Sequence, residues 1–268
     1  MSEIVTVQRL NRYALCTLNL PQKRNPISPA MRTALVQALE TLKRDDEVRA
    51  VVITGSGSAF CSGLDLDDLS LELSKPAEQH HADSQSIADF FDYIVHYAKP
   101  TIAAVNGPAV AGGCGLALLC DITVMSDAAF LSFSEVKIGF VPALVGVYLE
   151  RIVGQKAARE VLLTGRKIPA AEALTRGFVT EVAPAKEVLK RAGELAQVLA
   201  MNSPAALAAT KALLVQAATV DLDRALADAV SVNALARSSS DCKEGVQAFL
   251  DKRLPAWNQP PADTAQDD

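Results

Sequence analysis

The chain has 268 residues, half of them hydrophobic and 21% charged, which supports a buried core and excludes disorder over most of its length. Its 26 Lys and Arg against 31 Asp and Glu leave a net charge of −5 without a basic run, so nucleic acid is not an expected partner. Five cysteines without C-x-x-C spacing and only three histidines give no expectation of a metal site or a disulfide framework, and the acidic start Met1-Ser2-Glu3-Ile4 is unlike a signal peptide, so a cytoplasmic protein is expected.

In chain order, Ile4–Val7 and Ala14–Leu18 are β-type runs around Asn11-Arg12, which predicts an opening hairpin. Pro21–Ile27 reads as a loop. Ser28 before Pro29 predicts a capped helix with Met31, Leu35, Ala38, Leu39 and Leu42 on one face, stopped by Lys43-Arg44-Asp45-Asp46. Val51–Thr54 predicts a fully buried strand, followed by the turn Gly55–Ser58. From Leu69 to Ser84 the composition is polar and includes His80-His81, so a mobile surface loop is expected there, then a helix from about Ser86 to Ala98.

Thr101–Cys120 carries no charged side chain and has the length of a membrane span. Asn106-Gly107-Pro108 and Gly112-Gly113-Cys114-Gly115 interrupt it, which predicts instead a buried strand (Ile102–Val105), a turn and a helix beginning at Gly112-Gly113, and no membrane partner. Asp121–Met125, Phe130–Phe133 and Phe178–Val182 read as further strands. Beyond Ala143 the pattern is mostly helical, with an Ala/Leu-rich segment from Pro184 to Leu250 in which Ser203-Pro204 opens a new helix. The expected organisation is a core over residues 1–202, a helical region over 203–254 and a tail over 255–268.

Three segments carry residues that a purely structural role does not call for. Ala59–Leu66 is a glycine-containing loop after a buried strand; Gly55-x-Gly57 before it lacks the third glycine of a dinucleotide fingerprint. Ala104–Asp121 places glycines at a helix start, where free N–H groups favour developing negative charge. Phe133–Pro142 sets Glu135 among apolar residues, Phe133, Val136 and Ile138 nearest, and such surroundings raise a carboxyl pKa toward a value useful for proton transfer.

In this order the three segments resemble the crotonase family of enoyl-CoA hydratases and isomerases, and the similarity runs from the opening hairpin to the Ser203-Pro204 helix with Ala209-Thr210-Lys211. The resemblance implies an α/β fold, a spiral of ββα units with a C-terminal α-helical trimerisation region, and a homotrimer or homohexamer. It implies an acyl-CoA thioester substrate, with no cofactor beyond the coenzyme A of the substrate and no metal. Residue by residue, it places the oxyanion-hole amides on Leu64 and Gly112 and a catalytic carboxylate on Glu135. The coenzyme A strip falls on Leu64, Asp65, Leu66 and Asp67, with Lys23 and Arg24 to meet its phosphates. Two-glutamate hydratases of the family carry their first glutamate where this chain has Gly115; Asp121 belongs to the next strand and does not replace it. The implied reaction is reversible addition of water to a 2-enoyl-CoA. The alternatives are a Δ3,Δ2-enoyl-CoA isomerase with Glu135 as sole base, a methylglutaconyl-CoA-type hydratase, and a non-catalytic acyl-CoA-binding protein.

Overall fold

Val5–Arg9 (β1) and Tyr13–Leu18 (β2) form the expected antiparallel hairpin, Val5 opposite Leu18, with Arg12 in the left-handed region at φ 61° to close the turn. They begin a computed structural model that describes residues 3–65, 69–70 and 73–259. Ala50–Gly55 (β3) lies parallel to β2, and Thr101–Val105 (β4) parallel to β3. Every residue of β3 and β4 is buried, which is why their sequences run continuously apolar without alternation. Ile122–Ser126 (β6) and Glu181–Ala183 (β9) complete a sheet of order β1-β2-β3-β4-β6-β9 among the described residues. A second sheet, β5-β7-β8, joins Ala109–Val110 (β5), Phe130–Ser132 (β7) and Lys167–Pro169 (β8), with an isolated bridge from Cys61 to Ala109 beside it.

These pairings make a repeating path. The chain passes from the first sheet to the second and then into a helix at β3, Cys61 and Ala77–Val95 (α2), again at β4, β5 and Gly112–Leu118 (α3), and again at β6, β7 and Ala143–Val153 (α4). The expected α/β spiral of ββα units is therefore present. The uncharged stretch from Thr101 to Cys120 is one turn of it, and among the described residues no single helix is long and apolar enough to cross a membrane.

Pro29–Lys43 (α1) starts as read: the Ser28 hydroxyl accepts the Met31 N–H at 3.2 Å. Met31, Leu35, Leu39 and Leu42 are buried, each contributing about 1.5–3 kcal/mol relative to exposure, and Ala38 is half-buried at the edge of their stripe. Gln155–Thr164 (α5) and Ala170–Thr175 (α6) follow α4. On the other side of the main sheet Val188–Ala200 (α7) packs Val188, Ala192 and Ala196 against Val52, Ile102 and Val124.

Two expectations are corrected. The polar stretch read as a loop up to Ser84 is helical from Ala77, because its polar residues are the exposed first turns of the helix whose later turns bury Phe90, Phe91 and Ile94. The run Phe178–Val182 is a strand only from Glu181. Phe178 and Val179 close α6 instead, with the Phe178 N–H on the Ala173 carbonyl at 2.8 Å and Gly177 at φ 75°. The short strand β8 went unread.

The described residues divide into two compact units, one to Leu199 and one from Ala200. In the second, Pro204–Ala217 (α8), Leu222–Ser238 (α9) and Ser240–Leu250 (α10) are each capped by a side-chain oxygen: Ser203 to the Ala206 N–H, Asp221 to Arg224 and Ser239 to Cys242. No residue of α8 or α9 is buried.

Candidate active site

The segment Cys61–Leu64 runs between two others distant in sequence. On one side the Ser62 N–H donates to the Arg24 carbonyl at 3.0 Å and the Ile27 N–H to that of Gly63 at 2.7 Å; on the other the Val110 N–H donates to Cys61 at 3.0 Å. Gly63 stands at φ 84°, where a Cβ would lie 2.7 Å from the Val110 carbonyl oxygen and 3.2 Å from the Gly112 nitrogen, so only glycine lets the segments approach this closely.

The first of these neighbours is itself fixed by Asn25, which is fully buried and left-handed at φ 56°. Its side-chain amide donates to the carbonyls of Ser56, Ala59 and Phe60 and accepts the Leu20 N–H. Asn25→Ala leaves these buried groups unpaired, at about 1–3 kcal/mol for each one that finds no substitute. A lowered urea midpoint with unchanged slope is expected; an unchanged midpoint would contradict the role given to Asn25.

Ala111 also has a positive φ, 52° with ψ −126°, and its N–H is held by the Ser132 carbonyl at 2.7 Å. This kink turns the chain from β5 into α3. The Ala111 carbonyl accepts the Cys114 and Gly115 N–H groups, while the N–H groups of Gly112 and Leu64 have no hydrogen-bond partner among the described residues. Leu64 and Gly112 line one cavity of about 270 Å³, and Glu135 is in its wall.

Glu135 opens the 3₁₀ turn Glu135–Ile138 after β7, which Gly139 ends at φ 76°. The residue is 8% exposed, and its Oε2 is buried without a partner among the described residues. Burial pushes its carboxyl above the ordinary carboxylate range. Phe133 is fully buried as expected, Val136 is half-buried, but Ile138 is 58% exposed. Ile138 nonetheless lines the cavity, with Val141, Leu144 and Val145 just beyond it in sequence and Phe91 from the distant α2.

Lys23, Arg24, Leu64 and Asp65 border an adjoining surface depression, where the Lys23 ammonium meets the Asp65 carboxylate at 2.8 Å. Leu66 and Asp67 lie outside the described residues. Asp121 stands apart, accepting the Thr101 N–H at 2.7 Å and its hydroxyl at 2.9 Å. Cys61 and Cys114 are buried with thiols pushed up by desolvation, Cys61 to about 12, so neither offers a thiolate nucleophile. Among the described residues no group of three or more His, Cys, Asp or Glu is placed to hold a metal ion. What remains is an apolar chamber with free backbone donors and one carboxylate, suited to a carbonyl oxygen that gains charge while a proton moves nearby.

Comparison with known proteins finds that residues 10–260 match the family model described as enoyl-CoA hydratase/isomerase. A Thermus thermophilus protein provisionally named enoyl-CoA hydratase is 48% identical over 91% of this chain and 96% of its own. The 2,3-dehydroadipyl-CoA hydratase of Escherichia coli is 37% identical over 95% and 98%. A crystal structure of an enoyl-CoA hydratase from Mycobacterium smegmatis superposes with a TM-score of 0.89 at 35% identity, covering 96% of this chain and all of that one.

Proposed function

The chain belongs to the enoyl-CoA hydratase/isomerase family, and on that premise we propose that it adds water reversibly across the double bond of a 2-enoyl-CoA thioester. The observation that carries this reading is the buried Glu135 carboxylate, its Oε2 without a partner among the described residues, in one chamber with the N–H groups of Leu64 and Gly112, which likewise have none there. The thioester oxygen accepts both N–H groups. The Glu135 carboxylate takes a proton from water as the water oxygen bonds to C3; the C2=C3 π pair moves into the thioester as an enolate. The protonated Glu135 then delivers that proton to C2, and the carboxylate is regenerated. Lys23 and Arg24 meet the phosphates of coenzyme A, with Asp65 against Lys23, and neither metal nor further cofactor takes part.

A second reading, the Δ3,Δ2 double-bond shift, is favoured by the single carboxylate, which can remove a proton from C2 and return it to C4. Mass-resolved assay of crotonyl-CoA, 3-methylglutaconyl-CoA and 3-hexenoyl-CoA separates the two: a gain of 18 Da from crotonyl-CoA marks hydration, a product of unchanged mass from 3-hexenoyl-CoA marks isomerisation. Turnover of none of them would remove both readings.

The proposed assembly is a trimer or hexamer built through the second unit. Leu222, Leu226 and Val230 recur at helical spacing on α9 and are 72%, 56% and 69% exposed, and Leu214 on α8 is 64% exposed, more apolar surface than a solitary chain comfortably presents to water. Light scattering is expected to give three or six times the chain mass; a clean monomer at micromolar concentration would contradict the assembly and leave the chemistry standing.

A further inference from the structure

Gly115 follows Gly112 by three residues in α3 and so shares its face of the helix. A Cβ at Gly115 would lie 2.7 Å from Val145 Cγ2, closer than real Cβ atoms come, and 3.0 Å from Phe91 Cζ, a tight contact. The Phe91 ring also stands 3.7 Å from where a Cβ of Gly112 would be. Phe91 is 1% exposed and Val145 5%, and both line the chamber that holds Glu135. The ring tip therefore stands beside both glycines and takes up space that a side chain at 115 would need.

We propose that Phe91, accommodated by Gly115 and backed by Val145, is the specificity-determining wall of this chamber, limiting the acyl group to a linear chain unsubstituted at C3. The inference rests on the proposed function, because it takes the thioester carbonyl to sit at Gly112; the carbons just beyond the carbonyl then face the ring. A methyl or aryl substituent at C3 needs the volume that Phe91 fills. Gly115 and Phe91 act as one device, since any side chain at 115 and the ring at 91 compete for the same place.

The test measures binding of two saturated thioesters that cannot be hydrated, butanoyl-CoA and 3-phenylbutanoyl-CoA, which differ by the phenyl group at C3, by calorimetry, alongside turnover of crotonyl-CoA. The wild type is expected to favour butanoyl-CoA at least tenfold. Phe91→Ala is expected to shift the ratio of the two Kd values at least tenfold toward the phenyl compound, and Phe91→Leu, the milder change, at least threefold. Gly115→Ala is expected to lower the thermal midpoint, and Phe91→Leu to recover part of the loss in the double variant, the contact with Val145 remaining. A wild type that binds both thioesters equally, or a ratio that stays put in folded Phe91→Leu, overturns the proposal. Failure of the wild type to bind either thioester overturns the proposed function and the wall with it. The expected ratios together with no turnover of crotonyl-CoA would support the wall and overturn only the hydration reading.

Discussion

Glu135→Gln is expected to lower turnover of crotonyl-CoA by about 10²- to 10⁴-fold, the range general acid–base catalysis typically contributes, while affinity for a saturated acyl-CoA stays close to that of the wild type. The substitution keeps the size of the side chain and removes its ability to take a proton. Among the described residues that line the chamber, Glu135 is the ionisable one. The pH dependence follows from burial. Because the reaction starts from the carboxylate and burial holds the carboxyl above its ordinary range, the acidic limb of kcat/KM is expected above pH 4.5, the ordinary glutamate value.

The same burial predicts a stability effect of opposite sign. Between the ordinary and the raised pKa the folded chain holds the proton more tightly than the unfolded one, so stability falls as pH rises through that window. Ionisation of Glu135 in the folded chain therefore costs stability that Glu135→Gln does not lose. The variant's advantage in thermal midpoint is expected to grow from acid toward neutral pH. A variant that turns over at near the wild-type rate, or whose stability relative to the wild type ignores pH, would contradict the role given to Glu135.

The second large effect is expected at Gly112. A Cβ there would make ordinary contacts, 3.6 Å to Ile27 Cδ1 and 3.7 Å to Phe91 Cζ, so the Cβ of Gly112→Val is accommodated. Its methyl groups would lie in the chamber, where they would bar a thioester oxygen from the Gly112 N–H. Loss of one such donor costs about 2.7–4 kcal/mol of transition-state stabilisation, or about 10²–10³ in kcat. Gly112→Ala, with less bulk in the chamber, is expected to lose less. Near-native turnover in a folded Gly112→Val would mean that the carbonyl is held elsewhere.

The fold was legible wherever a residue's burial follows from its neighbours in sequence. The strands β3 and β4 read correctly because continuous apolar runs of that length have little alternative to the middle of a parallel sheet. Helix α1 read correctly because cap, proline and apolar stripe all agree. The first turns of α2 were missed because their side chains face solvent, and a polar helix surface looks like a loop when the apolar face is supplied by later residues. At the candidate site, Leu64, Gly112 and Glu135, which the sequence singles out, line one cavity, whereas Asn25 and Phe91 are not singled out by it. Phe91 falls into the same helical stripe as Phe90 and Ile94, and periodicity cannot tell a ring that lines a chamber from one that fills a core. Asn25 was one polar residue in a loop until the carbonyls it serves, more than thirty residues away, were brought beside it.

The segment Cys61–Leu64 lies between Arg24–Ile27 and Ala109–Val110, so its two flanks come from opposite directions along the chain, one nearly forty residues earlier and the other nearly fifty later. Loop-closure entropy must be met for both before either amide is fixed, and contacts of such separation form slowly. The donors at Leu64 and Gly112 are accordingly a late product of folding, absent from any partly folded chain in which the third segment has not arrived. A chain emerging from the ribosome would hold its hairpin and α1 long before it could hold a thioester oxygen, so ligand binding counts only those molecules whose successive turns of the spiral have closed.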